Sequence, residues 1–198
     1  LDALVNIDFK TRTINKKKKT LNLIRLGTSG ALQKNIEVDS FLVSFFGLGF
    51  DNIAHFYQTE EIIEHEMSNK YKQHASWPEN LSNPYAVKAS DNLLSLFPDI
   101  KTGITATAPG FYGPQGRTLR LNPLITNLHE KMESFNYKGN RITNFEMETS
   151  ALYYLGQSLG HNTLTMCAII ANRLTKEYSK NYKKTVEEMI SLVLKRIC

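Results

Sequence analysis

Cysteine is scarce in this sequence, whose 198 residues include only Cys167 and Cys198. So few thiols exclude a disulfide-stapled scaffold and a cysteine-rich zinc cluster. Cys167 lies in an apolar run, which indicates a buried thiol in a reducing, cytoplasmic compartment. Long hydrophobic runs are also missing, because the longest, residues 41–49, falls far short of the roughly 20 residues that span a bilayer. We therefore expect no membrane partner.

Metal-ligand and nucleophile motifs are missing as well. The five histidines, at positions 55, 65, 74, 129 and 161, show no HExxH or comparable spacing, so we expect no metal site. No Gly-x-Ser-x-Gly elbow occurs, which argues against a serine nucleophile of that type. His161 follows Gly160 and is interpreted as a turn residue, not as a catalytic base.

Acidic residues are outnumbered, but the excess of positive charge is local. The formal net charge is +5, and the run from Lys16 to Lys19 supplies four of the 24 basic residues. Without this run the chain has 20 basic and 19 acidic residues, so we expect no nucleic-acid partner. A solvated loop between two strands is the favoured interpretation, and contact with a polyanion or a membrane surface is the alternative.

The remaining composition, 41% hydrophobic and 22% charged, is typical of one soluble globular domain. The predicted strands are 4–8, 21–26, 41–46 (broken by the glycines at 47–49), 100–107, 142–147 and 164–171. The predicted helices are 51–69, 90–96, 122–134, 148–159 (stopped by Gly160) and 185–197. This alternation predicts an α/β fold with a mostly parallel sheet.

Ligands of open α/β sheets bind beyond the C-terminal ends of the strands. The first such end that carries polar side chains is the segment 25–30 (RLGTSG), which is interpreted as a strand end and a glycine turn. A guanidinium fork from Arg25, the hydroxyl of Thr28 and a nest of turn amides suit an anion such as phosphate. It is not a P-loop, because no Gly-Lys-Ser/Thr follows. A tight turn with a salt-bridged arginine is the alternative.

The second such segment is the loop 110–117 (GFYGPQGR), which holds two aromatic rings, Gln115 and Arg117. A glutamine presents a donor and an acceptor together, which matches the edge of a base. A nearby ring can stack on that base. A surface loop whose aromatic rings pack inward is the alternative.

The third segment, 144–150 (NFEMETS), places two carboxylates around Met147 where a strand becomes a helix. Alternation along a strand directs Glu146 and Glu148 to the same side. A carboxylate accepts two hydrogen bonds side by side, which fits vicinal sugar hydroxyls. Capping of the helix N-terminus is the alternative, and it accounts for Glu148 better than for Glu146.

Together and in this order, the segments resemble the nucleoside phosphorylase family, most closely its uridine phosphorylase branch, over about residues 21–173. The resemblance implies a three-layer αβα sandwich around a mixed, mostly parallel central sheet. It also implies that Arg25 and Thr28 bind phosphate and that Glu146, Met147 and Glu148 bind ribose. Inorganic phosphate is the implied co-substrate, and neither a cofactor nor a metal is implied.

The base loop separates the branches of the family. The positions of Phe111, Gln115 and Arg117 fit the uridine branch, in which Gln115 and Arg117 would bind the polar edge of uracil beside Phe111. Purine-specific members place an Asp after the last core strand, where this chain has Asn172 followed by the base-binding candidate Arg173. The implied reaction is phosphorolysis of uridine to uracil and ribose 1-phosphate. The residues expected to carry catalysis are Arg25, Arg117 and Glu148.

Three further expectations concern the whole protein. The resemblance implies one domain, 1–198, that lacks the strand–helix–strand block with which the family normally begins. It also implies a homo-oligomer, either a dimer or a hexamer. The small-molecule partners that it implies are a nucleoside and phosphate.

The alternatives to the implied function are a purine nucleoside phosphorylase or nucleosidase, a non-catalytic nucleoside-binding protein on the same fold, and a basic interaction module built on Lys16 to Lys19.

Overall fold

Strands and helices alternate along most of the chain in the computed structural model, which describes residues 1–197. The strands are β1 (Ile7–Asp8), β2 (Thr13–Ile14), β3 (Asn22–Ala31), β4 (Phe41–Gly49), β5 (Tyr85–Lys88), β6 (Thr102–Thr107), β7 (Asn136–Tyr137), β8 (Asn140–Glu146), β9 (Asn162–Asn172) and β10 (Glu177–Tyr178). The α-helices are α1 (Asp2–Asn6), α2 (His65–His74), α3 (Asp91–Leu94), α4 (Leu128–Ser134), α5 (Thr149–Ser158) and α6 (Tyr182–Ile197). Short 3-10 helices are formed by Ile53–Phe56, Glu60–Ile62 and Gly113–Gln115.

The central sheet is mixed and partly closed. Its strand order is β10-β9-β3-β8-β6-β4-β5, with β7 attached to β8. The two longest ladders, β3–β9 and β4–β6, are parallel, whereas β3–β8 and β4–β5 are antiparallel. β4 also pairs with β9 through residues 41–43 and 166–168, so that β9-β3-β8-β6-β4 form a closed ring. The predicted mixed sheet is confirmed, and its closure is an addition.

Two hydrophobic clusters show that helices cover both faces of this sheet. One cluster includes Tyr71 of α2 and Met132 of α4. The other includes Tyr153 of α5 and Met189 of α6. All four side chains are fully buried, which excludes the faces of the sheet from water. The three-layer αβα sandwich is therefore confirmed.

The glycines predicted to interrupt two strands instead lie inside them. Residues 27–30 continue β3 in its ladder with β9, and residues 47–49 continue β4, so the predicted turn and its nest of amides are wrong. Because these glycines have no side chain, neighbouring elements can pack closely against β4. A Cβ on Gly47 would lie 3.2 Å from the backbone nitrogen of Ser150 in α5. A Cβ on Gly49 would lie 2.6 Å from the ring of Tyr85.

Other boundaries differ where short polar segments interrupt the pattern. Residues 4–8 form the end of α1 and β1 instead of one strand, and 51–69 contain two 3-10 helices and only the start of α2. The helix predicted over 122–134 is confined to α4. The strands predicted at 100–107, 142–147 and 164–171 and the final helix are confirmed within a few residues. The stop after α5 is confirmed by Gly160, whose φ is +80°.

The lysine run and His161 lie away from the ends of the core strands at which ligands are expected. Residues 16–19 are exposed between β2 and β3, which confirms the predicted solvated loop. His161 lies in the connection between α5 and β9, where its buried Nδ1 accepts a hydrogen bond from the amide of Leu21 at 3.1 Å. No helix within residues 1–197 is both long enough and apolar enough to cross a membrane.

Candidate active site

The C-terminal ends of β3, β8 and β9 meet at a cavity of about 660 Å³. Gly30 of β3 pairs with Phe145 of β8 on one side and with Ala171 of β9 on the other, which brings the three ends together. The loop 109–117 supplies a further wall. All nine residues expected from the motifs line this one cavity: Arg25, Thr28, Phe111, Gln115, Arg117, Glu146, Met147, Glu148 and Arg173.

Arg25 lies between two carboxylates at one end of the cavity. Its Nη1 is 3.1 Å from Glu146 Oε2, and its Nη2 donates to Glu148 Oε2. Burial lowers the pKa of Arg25, but the attraction of Glu146, Cys167 and Glu148 carries it above its ordinary value. Gly27 makes this position possible, because a Cβ there would overlap the guanidinium. The result is a permanent cation presented to the cavity.

Glu146 is the residue that caps α5. Its carboxylate accepts hydrogen bonds from the backbone amides of Glu148 at 3.0 Å and Thr149 at 3.1 Å, and from Thr107 Oγ1 at 2.7 Å. Burial raises its pKa, against the opposing pull of Arg25. Glu148 makes no side-chain capping bond, so the expectation that capping accounts better for Glu148 is wrong. Although Glu146 belongs to β8, its carboxylate lies close enough to the first turn of α5 to accept hydrogen bonds from the amides there.

Glu148 is by contrast open to the cavity. Its side chain is 57% exposed, and Arg25 is its one side-chain partner within residues 1–197. Met147 beside it is 36% exposed. Glu146 and Glu148 both reach Arg25, but strand alternation does not account for this, because β8 ends at Glu146 and Glu148 lies at the N-cap of α5. Only Glu148 keeps a carboxylate oxygen without a protein donor.

Three side chains form a wall of hydrogen-bond donors at the other end of the cavity. The Oε1 atom of Gln115 accepts from Arg117 Nη1 at 2.6 Å and from Arg173 Nη2 at 2.5 Å. Its Nε2 donates to no residue within 1–197 and is left for a ligand. The Arg117 guanidinium also stacks on the half-exposed ring of Phe111, 3.8 Å from its centroid. A ligand that meets this wall must offer acceptors.

The donor wall carries an uncompensated positive charge. Within the described chain, neither Arg117 nor Arg173 forms a salt bridge with a carboxylate, whereas Arg25 has two. Burial and the nearby Arg117 lower the pKa of Arg173 to about 10. Burial also lowers the pKa of Arg117. Negative charge that develops on a ligand at this end would therefore be stabilised.

Two roles in the site, those of His129 and Gly30, were not found by sequence reasoning. His129 of α4 lines the cavity, and its Nε2 lies 2.7 Å from the backbone oxygen of Gln115. Gly30 admits Arg173, because a Cβ there would lie 3.1 Å from Arg173 Nε. No local sequence pattern indicates either role, because each consists of a contact with a residue far away along the chain.

Asn172 is held in place by the full hydrogen-bonding capacity of its side chain. Its Nδ2 donates to the backbone oxygens of Gln33 at 2.9 Å and Ile36 at 2.8 Å. Its Oδ1 accepts from the amides of Leu174 at 2.9 Å and Thr175 at 3.2 Å. The side chain is buried, so a carboxylate here would lose two bonds and face two carbonyl oxygens.

A second cavity, of about 680 Å³, lies against the same loop but lacks this chemistry. Its lining is dominated by apolar side chains such as Phe50, Trp77, Leu119 and Leu124, and Arg117 is the one candidate site residue among those that line it. Within residues 1–197 no group of three His, Cys, Asp or Glu side chains could hold a metal ion. The candidate active site is therefore the cavity that contains the three motifs.

Comparison with known proteins places these motifs in a family context. The model of the phosphorylase superfamily matches residues 6–198. The uridine phosphorylase of Thermococcus kodakarensis is 27% identical over 172 residues, which cover 87% of this chain and 56% of that protein. The uridine phosphorylase of Haemophilus influenzae is 24% identical over 86% of this chain and 62% of its own length.

A purine-specific relative and a solved structure are also similar. The DeoD-type purine nucleoside phosphorylase of Brevibacillus brevis is 26% identical over 87% of this chain and 62% of that protein. The chain thus spans between 56% and 62% of the length of these curated relatives. A Trypanosoma brucei nucleoside phosphorylase described as showing uridine phosphorylase activity has the same fold, with a TM-score of 0.81 at 21% identity over 99% of this chain and 73% of that one.

Proposed function

The chain belongs to the phosphorylase superfamily, and from this premise we propose that its protein converts uridine and inorganic phosphate into uracil and ribose 1-phosphate. One observation carries the proposal: the donor wall of Gln115, Arg117 and Arg173 shares a single cavity with Arg25 and Glu148. Such a site needs no cofactor, because it only orients two substrates and stabilises charge. The protein is then a pentosyltransferase of pyrimidine salvage.

Phosphate and ribose meet at the Arg25 end of the cavity. Both Nη atoms of Arg25 face Glu146 and Glu148, so phosphate binds the N–H groups that remain on this guanidinium, and the Thr28 hydroxyl lines the same cavity. Glu148 has an open carboxylate oxygen for the ribose hydroxyls, beside the sulfur of Met147. Glu146 uses its oxygens on α5 and on Arg25, so its part in the ribose site is to hold Arg25.

The base end promotes departure of uracil. A phosphate oxygen forms a bond to C1′ while the bond from C1′ to N1 breaks, and the electron pair of that bond stays on uracil. Arg117 and Arg173 face no carboxylate of the described chain, so they stabilise the resulting anion. Gln115 Nε2 and the two guanidinium groups present donors, which match the carbonyl oxygens of uracil.

Uridine is favoured over a purine nucleoside at this site. Protonation of a departing purine needs an acid near the end of β9, and Asn172 has no proton of that kind to give. Two of the similar proteins carry the name uridine phosphorylase, and the DeoD-type relative makes inosine the substrate to compare. The proposal includes a reducing cytoplasm, in keeping with the buried Cys167 thiol, and assembly as a homo-oligomer.

The test measures uracil and hypoxanthine release from uridine and inosine, each with and without phosphate. We expect phosphate-dependent release of uracil that exceeds release of hypoxanthine. Arg117→Ala and Glu148→Ala should each remove most of the activity while the protein stays folded. Arg120→Ala is the matched control, because Arg120 lies outside the site cavity. Near-wild-type turnover in Arg117→Ala or Glu148→Ala, or equal use of inosine, would contradict the proposal.

A further inference from the structure

We propose that His129 is a positioning residue for base recognition: it holds the backbone of Gln115, so that the Gln115 side chain faces the base. The inference rests on the proposed function and adds a residue to it that none of the motifs contains. His129 is the second residue of α4 and lies 14 positions after Gln115. It acts through Gln115 and not on the reacting atoms.

His129 donates a hydrogen bond to the loop. His129 Nε2 lies 2.7 Å from the Gln115 backbone oxygen, and a carbonyl oxygen can only accept. Nε2 therefore carries the proton, which fixes the tautomer of the ring. Arg173 Nη1 lies 3.5 Å from the same nitrogen but cannot bond to it, because both are donors.

The loop also fits closely against the His129 ring. Gly116 has a φ of +69°, and a Cβ there would lie 3.3 Å from His129 Nε2. The loop backbone thus lies directly against the imidazole. The amides of Gln115 and Gly116 bond within the loop, to the oxygens of Tyr112 and Gly113 at 3.0 and 2.9 Å. Within residues 1–197, the bond from His129 is the one hydrogen bond that ties the backbone of Gln115 to a residue outside the loop, whereas Arg173 holds its side chain.

Gln115, the residue that His129 holds, joins the members of the donor wall. Gln115 is 3% exposed, and its Oε1 receives both guanidinium groups of the donor wall. A shift of its backbone would move the meeting point of Arg117 and Arg173. Burial lowers the pKa of His129, the bond to Gln115 raises it, and the cations Arg173 and Arg117 lower it further, so that the net downward shift favours the neutral ring. The ring is therefore a donor that adds no further charge to the wall.

The experiment compares a variant that keeps the donor with one that keeps the ring. His129→Gln can still donate to the Gln115 oxygen, whereas His129→Phe keeps a planar ring without a donor. The control is His55→Phe, because His55 Nε2 makes the same kind of bond, 2.8 Å from the oxygen of Asn83, and does not line the cavity. The measured quantities are the inhibition constant of uracil and the KM for phosphate.

We expect His129→Phe to raise the inhibition constant of uracil about threefold to tenfold, the effect of one lost hydrogen bond. The KM for phosphate should stay unchanged, and both His129→Gln and His55→Phe should resemble the wild type. An unchanged inhibition constant in His129→Phe overturns the inference. So does a parallel rise in both constants, or a His129→Gln variant no better than His129→Phe.

A nitrogen-detected NMR spectrum tests the same bond without any substrate. We expect a neutral His129 ring protonated at Nε2 at pH 7.5, and a ring protonated at Nδ1 overturns the inference even if His129→Phe fails to fold. A wild-type protein that neither binds uracil nor releases it from uridine contradicts the proposed function instead. Even then, the NMR spectrum tests whether His129 holds the loop, because only a ring protonated at Nε2 can donate to the Gln115 oxygen.

Discussion

Replacement of Glu146 by glutamine tests whether Glu146 and Glu148, the two acidic residues that flank Met147, have different roles. The new side chain would keep the shape of the old one but turn one carboxylate oxygen into an NH₂ group among donors. These donors are the amides of Glu148 and Thr149 and the guanidinium of Arg25. We therefore expect a large loss of stability from Glu146→Gln together with a raised KM for phosphate, because Arg25 loses its buried partner.

The magnitude follows from the contacts that are lost. The cap of α5 contributes about 1 kcal/mol, and hydrogen bonds to a charged group contribute roughly 1.5–3 kcal/mol. The sum, about 2.5–4 kcal/mol, overlaps the roughly 3–5 kcal/mol found when one partner of a buried ion pair is removed. For a chain of this length each kcal/mol lowers Tm by about 2–4 °C, so we expect a shift of roughly 5–16 °C in thermal unfolding.

Glu148→Gln is the matched control, because the same change is made two residues away on a side chain that is 57% exposed. We expect its Tm to stay near that of the wild type while uridine phosphorolysis falls sharply. Circular dichroism melts of the two variants under identical conditions provide the comparison. Equal shifts in Tm, or a larger shift for Glu148→Gln, would refute the assignment of the cap to Glu146.

Four further outcomes follow from the structure. Gly27→Ala should raise the KM for phosphate and also lower Tm, because its Cβ displaces the end of Arg25 from the buried Glu146; an unchanged KM would contradict this. Asn172→Asp should lower Tm, since two bonds to backbone oxygens are lost and a carboxylate would face those oxygens; an unchanged Tm would contradict this. Cys167 should resist alkylation in the native protein, because burial raises its pKa to about 12; peptide mass spectrometry should find label there only after unfolding. The lowered pKa of His129 makes a contribution to stability that is fully present above the ordinary value of about 6.5 and lost as the pH falls through the lowered value; denaturant titrations of the wild type and His129→Gln should diverge in that window.

Much of the fold could be predicted from the sequence, because the residue patterns that indicate strands and helices are local. The strand at 164–171 was predictable from a continuous apolar run, and the stop after α5 from Gly160. Gly47 and Gly49 were misjudged because a glycine that ends a strand and one that admits a neighbour have the same local pattern. The decisive neighbours, Ser150 and Tyr85, are far away in the chain.

The candidate site was predictable to the extent that its motifs end strands. Arg25, Arg117 and Glu148 belong to three segments that the fold brings into one cavity. The division of labour between Glu146 and Glu148 was not predictable, because alternation says which side a carboxylate takes and not which donors it meets. His129 was not predictable either, since its one informative bond goes to the backbone oxygen of Gln115 and leaves no trace in residue types.

The closed ring of strands has a consequence for how the protein folds. Closure joins β4 to β9, whose paired residues 41–43 and 166–168 are more than 120 positions apart. Contacts between such distant segments form slowly, because a long loop must close before any pairing compensates for the lost entropy. The cavity exists only when β9 has joined β3, and β3 has joined β8. Refolding experiments should therefore recover helical signal early and ligand binding only in the slowest phase.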